Sequence, residues 1–266
     1  MPTHKSSRPA RDLPRLLQFA DDLVSLTEGL LAGTIHYSEE DHLAFMGLLF
    51  VSQQLQLLKS IRVLVAHDLG ASAGLIARAM LEGMCLLLWC GRHPESRPLE
   101  WRANAYIKDF RLMRQQEARG ETVPETRKAE IRQGLEQYGC TLWSNKARKA
   151  EEQGQNLPSD PYVKHWPGIA KEQMFDEVQG TQLYQHIYRN LSGLTHWDVA
   201  SLAGGIRRDS TGVCYSGSSP DSSAAALTVG FQSLVQSLEL LDGHLQLGKG
   251  QEISDLKQQY IRALTN

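Results

Sequence analysis

The segment 188–198 combines Arg189, Asn190 and His196 with side chains that are otherwise mostly apolar or small. If the segment is helical, at about 100° per residue, Arg189 and His196 are two turns apart and within about 20° of each other. An imidazole beside a fixed positive charge can move a proton next to a phosphate group. The spacing therefore points to acid–base chemistry at a phosphate ester, with Arg189 and His196 as the reacting pair.

Two further residues of the segment fit such a site. Ser192 adds a hydrogen-bonding group, and Asp198 follows closely enough to orient the imidazole of His196 after the helix ends. The alternative is structural, because the helix dipole favours a histidine near a helix C-terminus and Asn and Ser are common around helix ends. The residues alone leave both interpretations open.

A second pair of charges, Arg78 and Glu82, lies in a stretch that is otherwise apolar. Charged residues are rarely buried without a partner, and side chains four apart on a helix can meet each other. One interpretation is an internal salt bridge that fixes helix packing. The other is a polar cleft shared with Arg189 and His196, in which Glu82 holds Arg189 in position.

Helical periodicity runs through most of the chain and predicts the elements that must position these residues. A stripe of Leu183, Ile187, Leu191 and Leu194 is the expected core face of the helix that carries the motif. We predict an all-α fold, a bundle of six or more helices in a single domain over 12–264. The expected helices are 12–31, about 38–66, 71–90, 99–119, 124–138, 181–195, 222–247 and 252–264.

The remaining segments have other expected roles. Residues 120–167 contain a turn, a charge-rich stretch and several prolines, which is typical of a peripheral insertion or a cap. The segment 206–216 suggests a short β-hairpin or a loop. Residues 1–11 are polar and basic with two prolines, and we expect them to be disordered.

Composition limits the classes of function. The chain has 266 residues, of which 41% are hydrophobic and 22% charged, and a formal net charge of −2. This balance argues against a surface coated with nucleic-acid-binding charge and allows only a local basic cleft. No zinc spacing, P-loop or dinucleotide motif occurs, so no metal or cofactor is expected.

The cysteines and the apolar stretches of the sequence indicate the cellular compartment. The four cysteines form no C-x-x-C pair, which indicates a reducing, cytoplasmic environment. The most apolar stretch, 80–90, contains Glu82 and is roughly half the length needed to cross a bilayer, so no membrane span is expected.

The pattern Ala77-Arg78-x-x-Leu81-Glu82, then Trp101 and finally Tyr188-x-x-Leu191-Ser192-x-x-x-His196, resembles a bacterial family of all-helical domains of unknown function. The resemblance covers about residues 40–200. It implies a helical fold and singles out Arg78, Glu82, Ser192 and His196, and it brings no activity.

Arg189-Asn190, then five intervening residues and His196, is also similar to the R-x(4–6)-H signature of the HEPN superfamily. Many members of that superfamily are metal-independent ribonucleases in toxin–antitoxin, CRISPR and phage-defence systems. The resemblance implies an active site at a homodimer interface, where His196 acts as general acid or base and Arg189 stabilises charge on the phosphate. Asn190 would orient one of them, and a 2′,3′-cyclic phosphate would be the product.

The functional expectation is therefore a HEPN-like ribonuclease, or a stress or phage-defence effector, that acts on RNA as a homodimer and has a protein partner such as an antitoxin. The alternative is a non-catalytic helical module that binds a protein partner or a small ligand through the polar cleft near Arg78 and Glu82.

Overall fold

Helices form nearly all of the regular structure, as expected from the periodicity of the sequence. The computed structural model describes residues 12–195, 206–209, 212–215 and 220–265. The architecture confirms the predicted all-α fold. The helices are α1 (Leu13–Leu31), α2 (His42–Ala66), α3 (Gly70–Gly91), α4 (Arg97–Ala118), α5 (Glu125–Tyr138), α6 (Asn145–Glu152), α7 (Lys171–Glu177), α8 (Thr181–Leu183), α9 (Arg189–Thr195), α10 (Pro220–Leu245) and α11 (Gly250–Thr265).

A single two-stranded sheet occurs in the described ranges, where the sequence suggests a hairpin or a loop. Strand β1 (Ile206–Asp209) pairs antiparallel with β2 (Gly212–Tyr215), and Ile206 lies opposite Tyr215. Gly212 has a φ of 141°, a backbone conformation that side chains other than glycine's rarely adopt. The N-terminal residues 1–11, for which disorder is predicted, lie outside the described residues.

Two short helices are absent from the sequence prediction. The first, α6, begins after Ser144, whose side chain accepts a hydrogen bond from the backbone N–H of Ala147. The second is α7. Both are shorter than the length at which a helix is stable alone, so tertiary contacts rather than local periodicity determine them.

The chain divides into two compact units, and the first comprises residues 1–38, 44–88 and 175–266. Its core lies between the long helices. Gly230 of α10 approaches Ile61 and Leu58 of α2 and Met80 of α3, because a glycine leaves room for the three larger side chains. Tyr260 of α11 is fully buried, and its hydroxyl donates a hydrogen bond to Thr228 Oγ1 at 3.1 Å. The Tyr260 ring stacks within this core on Phe231 of α10, with the ring centroids 3.9 Å apart.

Three helices, α2, α3 and α10, are long and apolar enough by length and composition to cross a membrane. The apolar part of α3 is longer than the stretch 80–90 considered in the sequence, because the small residues before Met80 extend it to a helix of 22 residues. Length therefore no longer argues against a span. The absence of a membrane segment stays a prediction.

The second unit comprises residues 39–43 and 89–174, and it contains the predicted insertion 120–167. The extent of that insertion and the single domain over 12–264 stay predictions. The unit's core joins α4 to α5 through the stacked rings of Tyr106 and Tyr138, with centroids 5.9 Å apart. Gly134 of α5 lies directly beneath the Tyr106 ring, where an added Cβ would come within 2.3 Å of a ring carbon.

Two arginines of α4 hold the irregular segment 159–164 of the second unit in place. Arg111 Nε donates to Asp160 Oδ2 at 2.9 Å, and its Nη2 donates to the Val163 carbonyl at 2.9 Å. Arg114 donates to the Ser159 carbonyl at 2.6 Å. Because these carbonyls belong to no helix, the two guanidinium groups satisfy backbone acceptors that would otherwise need water.

Two of the free cysteines behave as small apolar residues, as the sequence suggests. Cys85 and Cys90 are fully buried, and burial raises the pKa of each thiol to about 12. Their thiolate forms are therefore negligible at neutral pH. Cys140, by contrast, is exposed.

Substituting Gly134 and Gly29 by alanine should have opposite effects on stability. Gly134→Ala drives a methyl group into the Tyr106 ring and should destabilise the second unit by about 1–3 kcal/mol. Gly29 of α1 has no neighbour within 4 Å of the position of an added Cβ. Gly29→Ala should therefore stabilise the protein by up to about 1 kcal/mol through helix propensity. Urea unfolding followed by circular dichroism measures both changes, and a stabilising Gly134→Ala would contradict the tight contact.

The Arg111–Asp160 pair should make stability depend on pH. The hydrogen bonds from Arg111 hold the pKa of the Asp160 carboxyl below its ordinary value of 3.8. A depressed carboxyl pKa stabilises the folded state above the unfolded value, and this contribution is lost as pH falls through the folded pKa. Asp160→Asn should therefore cost about 1 kcal/mol at pH 6, with a difference from wild type that shrinks towards zero below pH 3.8. Urea midpoints of both proteins between pH 6 and pH 2.5 test this, and a constant difference would contradict it.

Candidate functional site

A widened helical turn precedes the helix that carries the sequence motif. Residues Tyr184–Tyr188 form a π-helical turn between α8 and α9, and the backbone N–H of Arg189 donates to the carbonyl of Tyr184, five residues earlier. Such turns are less stable than α-helix and occur frequently at functional sites. The extra residue rotates α9 relative to the residues before the turn.

This rotation changes which side chains face the core. The predicted stripe has Leu183, Ile187 and Leu191 only half-buried, whereas Tyr188 is 6% exposed. The fourth stripe residue, Leu194, has a side chain that is not described. The prediction of one constant helical period across the segment is therefore wrong. The π turn shifts the position that faces the core by one residue, to Tyr188.

Three aromatic rings hold the π turn in place. Tyr184 and Tyr188 stack with centroids 5.4 Å apart and an angle of 15° between the rings. Phe175, which is fully buried, contacts both rings at 5.4 and 5.5 Å between centroids. Aromatic contacts of this kind contribute about 0.5–1.5 kcal/mol each beyond their buried area, which offsets the weaker hydrogen bonding of the turn.

The Tyr188 hydroxyl connects the π turn to both charges of α3. Arg78 Nη2 donates to this hydroxyl at 3.3 Å, and the hydroxyl donates to Glu82 Oε2 at 3.2 Å. The Arg78 guanidinium also lies 5.2 Å from the centre of the Tyr188 ring, within range of a cation–π interaction. The second charge pair of the sequence thus contacts Tyr188, the residue that directly precedes the motif helix.

The motif residues on α9 occupy different environments. The side chain of Arg189 is exposed and forms no hydrogen bond or ion pair with any residue that the structure describes. Asn190 is also exposed, and its Nδ2 donates to the carbonyl of His186 at 2.7 Å. Ser192 is half-buried. Glu82 accepts a hydrogen bond from the hydroxyl of Tyr188, the residue that immediately precedes Arg189.

His196 and Asp198 lie outside the described residues, so the angle between Arg189 and His196 stays a prediction. Helix α9 reaches Thr195, the residue before His196. Both Arg189 and the end of α9 lie after the π turn, so the turn does not alter the spacing on which the prediction rests. Within the described ranges, no three His, Cys, Asp or Glu side chains are grouped as metal ligands would be.

The sequence does not by itself indicate that Tyr188 is the partner of Arg78 and Glu82. The signal of Tyr188 in the sequence is the pair Tyr184 and Tyr188, since aromatic residues four apart on a helix can stack. That signal is weak alone, because the same spacing is typical of ordinary core packing.

Tyr188→Phe should destabilise the first unit by about 1–2 kcal/mol, because it leaves two half-buried charged groups without the hydroxyl they share. Tyr184→Phe is the matched control, since the Tyr184 hydroxyl forms no hydrogen bond with a described residue and the ring stack survives. Urea unfolding of the two variants measures the difference. Equal stability of Tyr188→Phe and Tyr184→Phe would show that the Tyr188 hydroxyl does not stabilise the folded state.

Comparison with known proteins places the chain in a family. Residues 44–213 match the model of a family of unknown function, DUF5677, and this range contains Arg78, Glu82, Tyr188 and the whole motif 188–198. No curated protein and no solved structure matches the chain. Because the match covers more than half of the residues, the chain belongs to the DUF5677 family of unknown function.

Proposed function

We propose that the protein is a metal-independent ribonuclease, or a stress or phage-defence effector of that chemistry, with Arg189 and His196 as the catalytic pair. The observation that supports it is the state of Arg189. Its side chain is exposed and unpaired among the described residues, on a helix whose base is fixed by the aromatic stack and the Arg78–Tyr188–Glu82 contacts. A free cation on a fixed element is what stabilisation of a phosphate charge requires.

In the proposed reaction, the imidazole of His196 takes the proton of the ribose 2′-hydroxyl, and the 2′-oxygen attacks the adjacent phosphorus. The bond from phosphorus to the 5′-oxygen breaks, and that oxygen receives a proton from a second imidazole, the one of the partner protomer. The products are a 2′,3′-cyclic phosphate and a free 5′-hydroxyl. Arg189 stabilises the charge that develops on the phosphate oxygens.

The homodimer follows from this chemistry, since one histidine per protomer supplies only one of the two proton-transfer groups. A cytoplasmic location fits the free thiols and the surface of α2. Lys59 of α2 pairs with Glu28 of α1 and Arg62 of α2 pairs with Asp21 of α1, and charged groups of this kind are costly inside a bilayer. An antitoxin or other protein partner belongs to the same proposal, as an inhibitor that covers the Arg189 face.

A competing function, non-catalytic binding, has its own supporting observation. Leu49 of α2 is 48% exposed and lines a groove of about 350 Å³ with Phe50, Leu57, Ala79 and Gly83. Exposed apolar surface of this kind often marks the binding site of a partner. An RNA cleavage assay distinguishes the two functions.

Purified full-length protein should cleave a 5′-labelled single-stranded RNA in the presence of EDTA and leave 2′,3′-cyclic phosphate ends. Arg189→Ala and His196→Ala should each lower the rate by at least about 10²-fold, because each removes transition-state stabilisation. Arg119→Ala is the control, an exposed arginine at the end of α4. Light scattering should give about twice the chain mass of 29.7 kDa.

Two outcomes would contradict the enzyme. One is that the wild-type protein cleaves no RNA, even at concentrations at which it is dimeric. The other is cleavage at equal rates by wild type, Arg189→Ala and His196→Ala, which would identify a contaminating nuclease.

A further inference from the structure

The second unit contains a pocket that the sequence analysis did not anticipate. It lies between α4, α5 and the segments that carry Trp143 and Tyr162, and its volume is about 640 Å³. That volume lies in the middle of the range found for small-molecule sites in proteins. None of its lining residues belongs to the site around Arg189.

Apolar and aromatic side chains form the larger part of the lining, among them Phe110, Met113, Leu135, Trp143, Leu157 and Tyr162. The rings of Phe110 and Tyr162 meet edge to face, with centroids 5.9 Å apart. Burial raises the pKa of the Tyr162 hydroxyl, so this residue stays neutral at physiological pH. A surface of this composition is suited to an apolar or aromatic group.

The wall formed by segment 159–164 is built before any ligand arrives. Arg111 holds Asp160 and the Val163 carbonyl, and Arg114 holds the Ser159 carbonyl. Backbone contacts add to these, since Ser144 N donates to the Pro161 carbonyl at 2.8 Å and Val163 N donates to the Leu142 carbonyl at 2.8 Å. A pocket whose wall is fixed in this way loses little entropy when it binds a ligand.

The charged groups at the rim fall into two sets. Lys128 is already neutralised, because its Nζ lies 2.8 Å from Glu117 Oε1 and 3.1 Å from Glu125 Oε1. Arg132 and Glu136 also line the pocket, and neither side chain forms a hydrogen bond or ion pair with a described residue. They are four residues apart on α5, so their side chains leave the same face about 6 Å from each other.

We propose that this pocket binds a small zwitterion with an aromatic side chain, of the size of an amino acid. The guanidinium of Arg132 pairs with the ligand's carboxylate, because its planar donors match that group. The carboxylate of Glu136 pairs with the ligand's ammonium. The aromatic side chain enters the apolar part of the pocket, beside Phe110 and Tyr162.

Four indole compounds with the same ring and different charges test the proposal on the full-length protein by calorimetry. They are tryptophan (both charges), indole-3-propionate (anion only), tryptamine (cation only) and N-acetyltryptophanamide (neutral). Tryptophan should bind at least about tenfold more tightly than each of the others, because each charge-assisted contact is worth more than a neutral one. Arg132→Ala/Glu136→Ala should abolish that preference.

The control variant is Arg127→Ala/Glu130→Ala, which removes an oppositely charged, exposed pair from the same helix outside the pocket. It should bind tryptophan as wild type does. Equal affinity of all four compounds, tighter binding of the anion or the cation alone, or no binding of tryptophan at millimolar concentration would each overturn the proposal. Retained preference for tryptophan in Arg132→Ala/Glu136→Ala would overturn it as well.

Discussion

The Tyr188 hydroxyl, shared by Arg78 and Glu82, is the contact on which the arrangement of the candidate site depends. Two charges in the apolar helix α3 are costly to bury unless each finds a polar partner, and the hydroxyl serves both, as acceptor for Arg78 and donor to Glu82. To reach them, Tyr188 must point inward, which the π turn achieves by displacing the helix by one residue. Arg189, the next residue, is therefore turned towards solvent.

Sequence periodicity predicts the long helices well, because apolar residues must repeat with the helical period wherever a helix covers a large core. The ends of α1, α3, α10 and α11 fall within two or three residues of the expected positions. Periodicity fails to predict the core-facing residues before α9, because a π turn interrupts the constant helical period that the prediction assumes. It also fails at α6 and α7, whose few residues carry too little pattern to stand above the surrounding loops.

In the candidate site, too, the sequence pattern predicts part of the arrangement, and tertiary packing determines the rest. Charged residues such as Arg78 and Glu82 in an apolar helix require partners, so the sequence indicates that a polar contact exists there. It does not show that the partner is Tyr188, 106 residues further along the chain from Glu82. The pocket of the second unit is even harder to predict from the sequence, because Lys128, Arg132 and Glu136 have the spacing of an ordinary solvated helix face. Only the structure reveals that Lys128 is neutralised and its two neighbours are not.

Both units contain irregular backbone that side-chain contacts hold in place. In the first, a π turn weakens helical hydrogen bonding, and three aromatic rings are needed to support it. In the second, two arginines bind the carbonyls of one loop, although a shorter connection would have left fewer acceptors to satisfy. Strained or irregular backbone persists where it positions side chains for another purpose. On that argument the exposed Arg189 and the Arg132–Glu136 rim are the two places where binding partners should be sought, and each can be disrupted by substitutions that leave its supporting contacts intact.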